Sequence, residues 1–212
     1  MRRHASILLF LLLCVAPGTS VAKRVVRFDV DGIPVRLVQN RDFDYVTLSL
    51  IVRSGSLADP KGKEGLANLT AQMLRRGAGK LDQAGFEDAL DYLGSKLEIS
   101  VGYESTSIGG DSLGRNLDAF LQLVSTMLGA PRFEAAQIEK QKRLIVAQID
   151  AIRENDATLG AQFFRRALFA DHLLGRPTLG TPRSVRTLRQ EDVKAYFRQA
   201  FVRNNLIVGF SG

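Results

Sequence analysis

Apolar and polar residues alternate with period two in several separate stretches, and each stretch reads as a strand. Val26, Phe28 and Val30 face one way; Asp31-Gly32 signals a tight hairpin, and Ile33 to Val38 pairs back. From Val46 to Val52 the pattern sets Val46, Leu48, Leu50 and Val52 against Thr47, Ser49 and Ile51. Leu97, Ile99, Val101 and Tyr103 alternate next, with Thr106 to Leu113 as their antiparallel neighbour, and Leu206 to Phe210 forms a last strand.

Between the strands the period changes to that of a helix. Leu66, Leu69 and Met73 form one stripe of a helix that starts near Lys63 and stops at the basic turn Arg75-Arg76 before Gly77. Asp82 is placed to cap a helix through Phe86, Ala89, Leu90 and Leu93, which Gly94 closes. Asn116 to Leu128 and Phe133 to Arg153 are amphipathic, the second being the longest helix. Ala157 to Phe169 carries Leu159, Phe163, Phe164, Ala167 and Leu168 on its expected core side. A Gly/Pro loop from Asp171 to Pro182 precedes a helix over Gln190 to Phe201. This order predicts an α+β fold: an antiparallel-rich β-sheet covered on one face by a layer of α-helices.

Composition narrows the chemistry. The chain has 212 residues, 45% hydrophobic and 24% charged, enough for one domain with a sizeable core. Arg2-Arg3, the apolar run Ile7 to Val15 and the small residues Ser20-Val21-Ala22 form a secretory signal over residues 1–22. A mature domain over 23–212 follows, exported to the periplasm or the extracellular space, with no stable membrane span after cleavage. Cleavage removes Cys14 and His4, so no disulfide forms and His172 is the sole remaining histidine. One histidine and no cysteine exclude a structural zinc cage and a two-histidine catalytic zinc site. The net charge is +7 over the whole sequence, but the basic residues are scattered and no nucleic-acid motif accompanies them. A solvated basic surface is expected rather than a nucleic-acid partner.

One helix face stands apart. Asn68 and Gln72 are four residues apart and share a side, with Ala71 beside them, pointing away from the apolar stripe. The surrounding Gly65-Leu66-Ala67 and Met73-Leu74, after a strand and an Asp59-Pro60 turn, resemble the pitrilysin/insulinase family of zinc peptidases, which includes the mitochondrial processing peptidases. The resemblance continues in Gly175-Arg176-Pro177 and Gly180-Thr181-Pro182 and in Asn204-Asn205, and spans Val25 to Gly212.

The family carries His-x-x-Glu-His on this face, two zinc-binding imidazoles and a glutamate that handles the water proton. Matched residue by residue, the resemblance puts Asn68 and Gln72 at the two histidines and Ala71 at the glutamate. It puts Gln148 at the third ligand and Gln141 at its supporting glutamate. Neutral amides are poor zinc ligands and no general base. Two states are open for them: a polar contact in which the amides bond to one another, or solvated residues on a cleft wall. His172 is expected to order its loop.

The resemblance therefore implies a processing-peptidase-like half-subunit, with a second half in the complete protein. It implies a non-catalytic subunit or domain of an exported complex that binds peptide substrate at a sheet edge. The partner is a catalytic peptidase subunit of the same family, and zinc is expected only in that partner. Two alternatives are a zinc metalloendopeptidase with atypical ligands and a purely structural assembly subunit.

Overall fold

The computed structural model describes residues 25–40, 42–170 and 172–212. The signal assigned to residues 1–22 lies outside them. Eight strands are β1 (Val25–Val30), β2 (Ile33–Val38), β3 (Tyr45–Val52), β4 (Gly77–Ala78), β5 (Leu81–Asp82), β6 (Lys96–Val101), β7 (Thr106–Leu113) and β8 (Leu206–Ser211). The helices are α1 (Leu66–Met73), α2 (Gln83–Tyr92), α3 (Leu117–Gly129), α4 (Ala135–Ala151), α5 (Asp156–Phe169), α6 (Pro182–Thr187) and α7 (Gln190–Ala200).

Six strands form one sheet in the order β1-β2-β8-β3-β7-β6. All neighbours are antiparallel except β2 and β8, which run parallel because β8 returns from the far end of the chain. Alternation decides the two faces. Leu48, Leu50 and Val52 of β3, Ile108 of β7 and Leu97 of β6 are buried under the helices. They meet Leu69 and Met73 of α1, Phe86 of α2, Phe120 and Met127 of α3, and Ile138 and Ile145 of α4 in one continuous core. The other face is small and polar: Ser49 lies opposite Gly109 on one side and Gly209 on the other, and Thr47 Oγ1 donates to Asp111 Oδ1 at 2.8 Å. This is the one-sided antiparallel-rich sheet that the α+β expectation describes.

Local signals explain the ends of the elements. Asp82 accepts from Gly85 N–H at 2.9 Å as the cap of α2, and Gly94 follows the helix at φ +58°. Thr181 and Ser184 form a reciprocal capping box with Pro182 at the start of α6, a short helix that sequence patterning leaves in a loop. The two-residue ribbon β4–β5 is likewise too short to show a period.

One expectation is overturned. The apolar side of α5 is not core: Phe163 is 64% exposed, Phe164 69% and Leu168 62%, and no residue of α5 is buried. Among the described residues the helix is tied to the rest mainly at its ends, through the Ile152–Glu154 and Leu173–Gly175 turns, and by Arg165, whose guanidinium lies 4.9 Å from the Tyr103 ring centre. Its amphipathic pattern is real, but the surface it matches does not lie within the described residues. No helix among them is long and apolar enough to cross a membrane.

Candidate functional site

The site begins before α1. Gly65 adopts the left-handed region at φ +93°, and neither it nor Glu64 supplies a side-chain cap. The orphan N–H groups of the first turn are met instead by a carboxylate from the preceding loop. Asp59 Oδ2 accepts from Gly65 N–H and Oδ1 from Ala67 N–H, both at 2.8 Å. Asp59 is 5% exposed, and burial pushes its carboxyl up to about 6, against the lowering pull of those backbone bonds. Tyr196 of α7 lies in the same region: its Oη donates to Gly55 O at 3.2 Å and sits 3.0 Å from Ser54 Oγ. Burial raises the Tyr196 hydroxyl to about 12, with the nearby Asp59 charge adding to the rise.

The loop from Leu179 to Ser184 locks this end of the helix. A Cβ on Gly180 would stand 2.1 Å from Glu64 O, and one on Gly65 2.5 Å from Leu179 O, so both positions require glycine for space and for their positive φ. Ser184 Oγ donates to Glu64 O at 2.8 Å, and Lys63 pairs with Asp192 at the start of α7. His172 does what was expected of it, its Nδ1 accepting from Leu174 N–H at 3.2 Å to order the following turn.

Beyond this frame the structure places the amides differently from one another. The face of α1 that carries Asn68 and Ala71 does not point outward: Asn68 is 6% exposed and Ala71 1%. The reason is that α1 is packed on α4, α7 and β6 at once, leaving only Gln72 half-buried. On α4, residues Gln137, Gln141, Leu144 and Gln148 share a side by helical spacing. Gln141 is buried and Gln148 exposed. No hydrogen bond joins any two of Asn68, Gln72, Gln141 and Gln148 among the described residues, which corrects the first of the two states open for them. Asn68 Nδ2 and the Oε1 atoms of Gln137 and Gln141 are buried without partners among the described residues. Of the four amides, Gln148 is exposed and Gln72 half-buried.

Chemically, amides can donate and accept hydrogen bonds but carry no charge at neutral pH. Amide oxygens at Asn68, Gln72 and Gln148 do not fit zinc as imidazole or carboxylate would, and none can take up a proton at neutral pH. Among the described residues no three His, Cys, Asp or Glu side chains gather where they could hold a metal ion.

Sequence patterning missed Asp59 as the cap of α1. The available signal was a helix start with Glu64-Gly65 in front of it and no Ser, Thr, Asp or Asn at the cap, which requires an acceptor from elsewhere.

A family model described as Insulinase (Peptidase family M16) matches residues 35–182. The Helicobacter pylori protein named non-peptidase homolog YmxG is 27% identical over 180 residues, 85% of this chain and 42% of its own. The mitochondrial-processing peptidase subunit beta of Blastocladiella emersonii is 20% identical over 182 residues, 86% of this chain and 39% of its own. The chain thus spans less than half the length of these curated relatives. Among solved structures, a peptidase M16 inactive domain from Pseudomonas fluorescens superposes with a TM-score of 0.85 at 21% identity, over 89% of this chain and 46% of that one. The periplasmic protease PqqL from Escherichia coli superposes with a TM-score of 0.82 at 18% identity, over 91% of this chain and 22% of that one. At these identities the two structures speak to the fold alone. The family match runs from β2 through α5 to the first residue of α6, taking in the capped start of α1 and both helices that carry the amides, and by it this chain belongs to the insulinase family, peptidase family M16.

Proposed function

We propose that this chain is a non-catalytic subunit or domain of an exported insulinase-family complex, contributing peptide binding and pairing with a zinc-bearing partner of the same family. The observation that carries the proposal is the donor set on α1 and α4: amides at Asn68, Gln72 and Gln148, a methyl at Ala71, and two buried amides whose polar atoms lack partners. A protein that cycled a metal and a proton here would need groups that bind one and exchange the other. The likeness to proteins named as a non-peptidase homolog and an inactive domain supports this reading.

Pairing is supported by α5, whose exposed Phe163, Phe164 and Leu168 form an apolar side of the kind that marks a contact surface. Peptide binding is assigned to the edge of the sheet next to α1. The sheet has two edges, β1 and β6, and only β6 is packed against α1. An extended peptide added there gains backbone hydrogen bonds without any catalytic group.

The test is to purify the chain alone and together with a His-x-x-Glu-His-bearing relative encoded beside it. Alone, it should hold no stoichiometric zinc and cleave no peptide. The complex should cleave peptide, and should lose that activity when this chain is withdrawn. Chelator-sensitive zinc at one ion per chain, with cleavage by the isolated chain, would overturn the proposal. A stable complex whose cleavage rate is unchanged without this chain would leave a purely structural subunit.

A further inference from the structure

The hydrogen-bond phase of the edge strand β6 can be read from its surroundings. Gly102 N–H donates to Ser105 O at 2.8 Å, which makes these two residues a bonded pair just beyond the strands. In an antiparallel ladder, residues two apart bond to the same side. Ser100, Glu98 and Lys96 therefore turn their peptide groups toward β7, where they face Ser107, Gly109 and Asp111. The rest of the sheet keeps the same phase: Arg53 N–H donates to Asn205 O at 2.8 Å, continuing the bonds of odd-numbered β3 residues to β8. Leu97, Ile99 and Val101 are left with their N–H and C=O groups on the free edge.

This edge is closed at its Leu97 end. Arg75 Nη1, just past α1, donates to Leu97 O at 2.7 Å, and its Nη2 pairs with Glu87 of α2. Past Val101 the hairpin tip is held by the loop that follows β3, where Ser56 N–H donates to Gly102 O at 3.0 Å and Leu57 N–H to Tyr103 O at 2.9 Å. The open stretch from Leu97 N–H to Val101 is about 13 Å at strand spacing. Among the described residues, both groups of Ile99 and of Val101 lack partners there.

We infer that Arg75 sets the register and length of a peptide strand added to β6; the inference rests on the peptide-binding reading above. An incoming strand makes complete pairs with Ile99 and Val101. At Leu97 the carbonyl that would accept its next N–H is already taken by the guanidinium, so the strand ends or turns away. In antiparallel addition this is the peptide's C-terminal end, because it opposes the start of β6. A charge placed to keep all strands off the edge would sit at its centre. Arg75 guards one end and leaves the middle free.

The experiment uses the full chain with two blocked peptides of alternating Thr and Val, five and nine residues long. Binding is titrated, and backbone amide exchange is followed residue by residue. In the wild type both peptides should bind equally within twofold, slowing exchange at Ile99 and Val101. Arg75→Met should improve binding of the nine-residue peptide about fivefold, as one added hydrogen bond would, and extend protection to Leu97. Arg75→Lys keeps a donor for Leu97 O and should behave as wild type.

If Arg75→Met leaves the ratio of the two affinities unchanged while Ile99 and Val101 are still protected, the role of Arg75 is overturned and the peptide site stands. If neither peptide slows exchange at Ile99 or Val101 in any variant, the peptide site falls and the inference with it.

Discussion

At the N-terminus of α1, Asp59 receives two N–H groups, Ser184 holds Glu64 O, and Gly65 and Gly180 are interlocked at distances that admit no side chain. One turn further along the same helix, Asn68 Nδ2 is buried without a partner among the described residues, and α4, which packs on this helix, carries the buried oxygens of Gln137 and Gln141, also without partners there. The first region meets the polar accounting of a well-formed protein interior, and the second leaves it open. The contrast separates what holds the fold in place from what merely occupies it. Capping and interlock set where α1 lies and therefore hold the fold. Asn68 and Gln141 fill space in the interior, while Gln72 is half-buried and Gln148 exposed.

Substitutions should separate the two regions by size of effect. Gly180→Ala places a methyl against Glu64 O at a backbone angle that L-residues avoid. It should cost about 4 kcal/mol or more, seen as loss of cooperative unfolding or a large fall in the denaturant midpoint. A loss under about 1 kcal/mol would mean that the interlock is adjustable and the contrast weaker than described.

Asp59 gives the next largest effect, and it depends on pH. Its folded pKa of about 6 lies above the ordinary 3.8. Well below pH 3.8 the carboxyl is protonated whether the chain is folded or not. As pH rises toward 6 the unfolded chain releases the proton while the folded chain keeps it. Stability from this group therefore falls across that window, by an amount on the order of 3 kcal/mol, and the cost is fully present above it. Asp59→Asn should flatten that slope in denaturant midpoints measured from pH 4 to 7. It should also lose about 1–2 kcal/mol near pH 5, because the amide NH2 that replaces one acid oxygen cannot accept from Gly65 or Ala67 N–H.

Gln141→Met and Asn68→Leu should do the opposite of what burial suggests. Each removes a buried polar atom without a partner, so stability should stay level or rise by up to about 1 kcal/mol in equilibrium unfolding. A loss above 2 kcal/mol for either would show that these amides are bonded in solution, and would erase the contrast between the two regions. The smallest effect on the chain itself is expected at α5. Phe163→Ser with Leu168→Ser should change stability by less than about 0.5 kcal/mol, because both side chains are exposed. The same pair should abolish co-purification with the zinc-bearing partner.

Local chemistry in the sequence determined most of the elements. The alternation of Leu48, Leu50 and Val52 decided a strand and its buried face, Asp82 and Gly94 bounded α2, and the i, i+4 spacing of Asn68 and Gln72 put them on one side of α1. These follow from short-range sterics and hydrogen bonding, which a chain carries in its order. That Asn68, Gln72, Gln141 and Gln148 are neutral amides was also legible, because residue type alone decides whether a group can bind zinc or move a proton.

What only the tertiary structure decided are the meetings of distant segments. Neither the parallel pairing of β8 with β2, nor the Asp59 cap reaching forward to Ala67, nor the Gly65–Gly180 interlock has a periodic signature. The same holds for exposure. The apolar stripe of α5 looks in sequence like that of α3, yet α3 is covered by the sheet and α5 by nothing among the described residues. A hydrophobic pattern states that a face needs a partner; which surface supplies it is a property of the packed assembly.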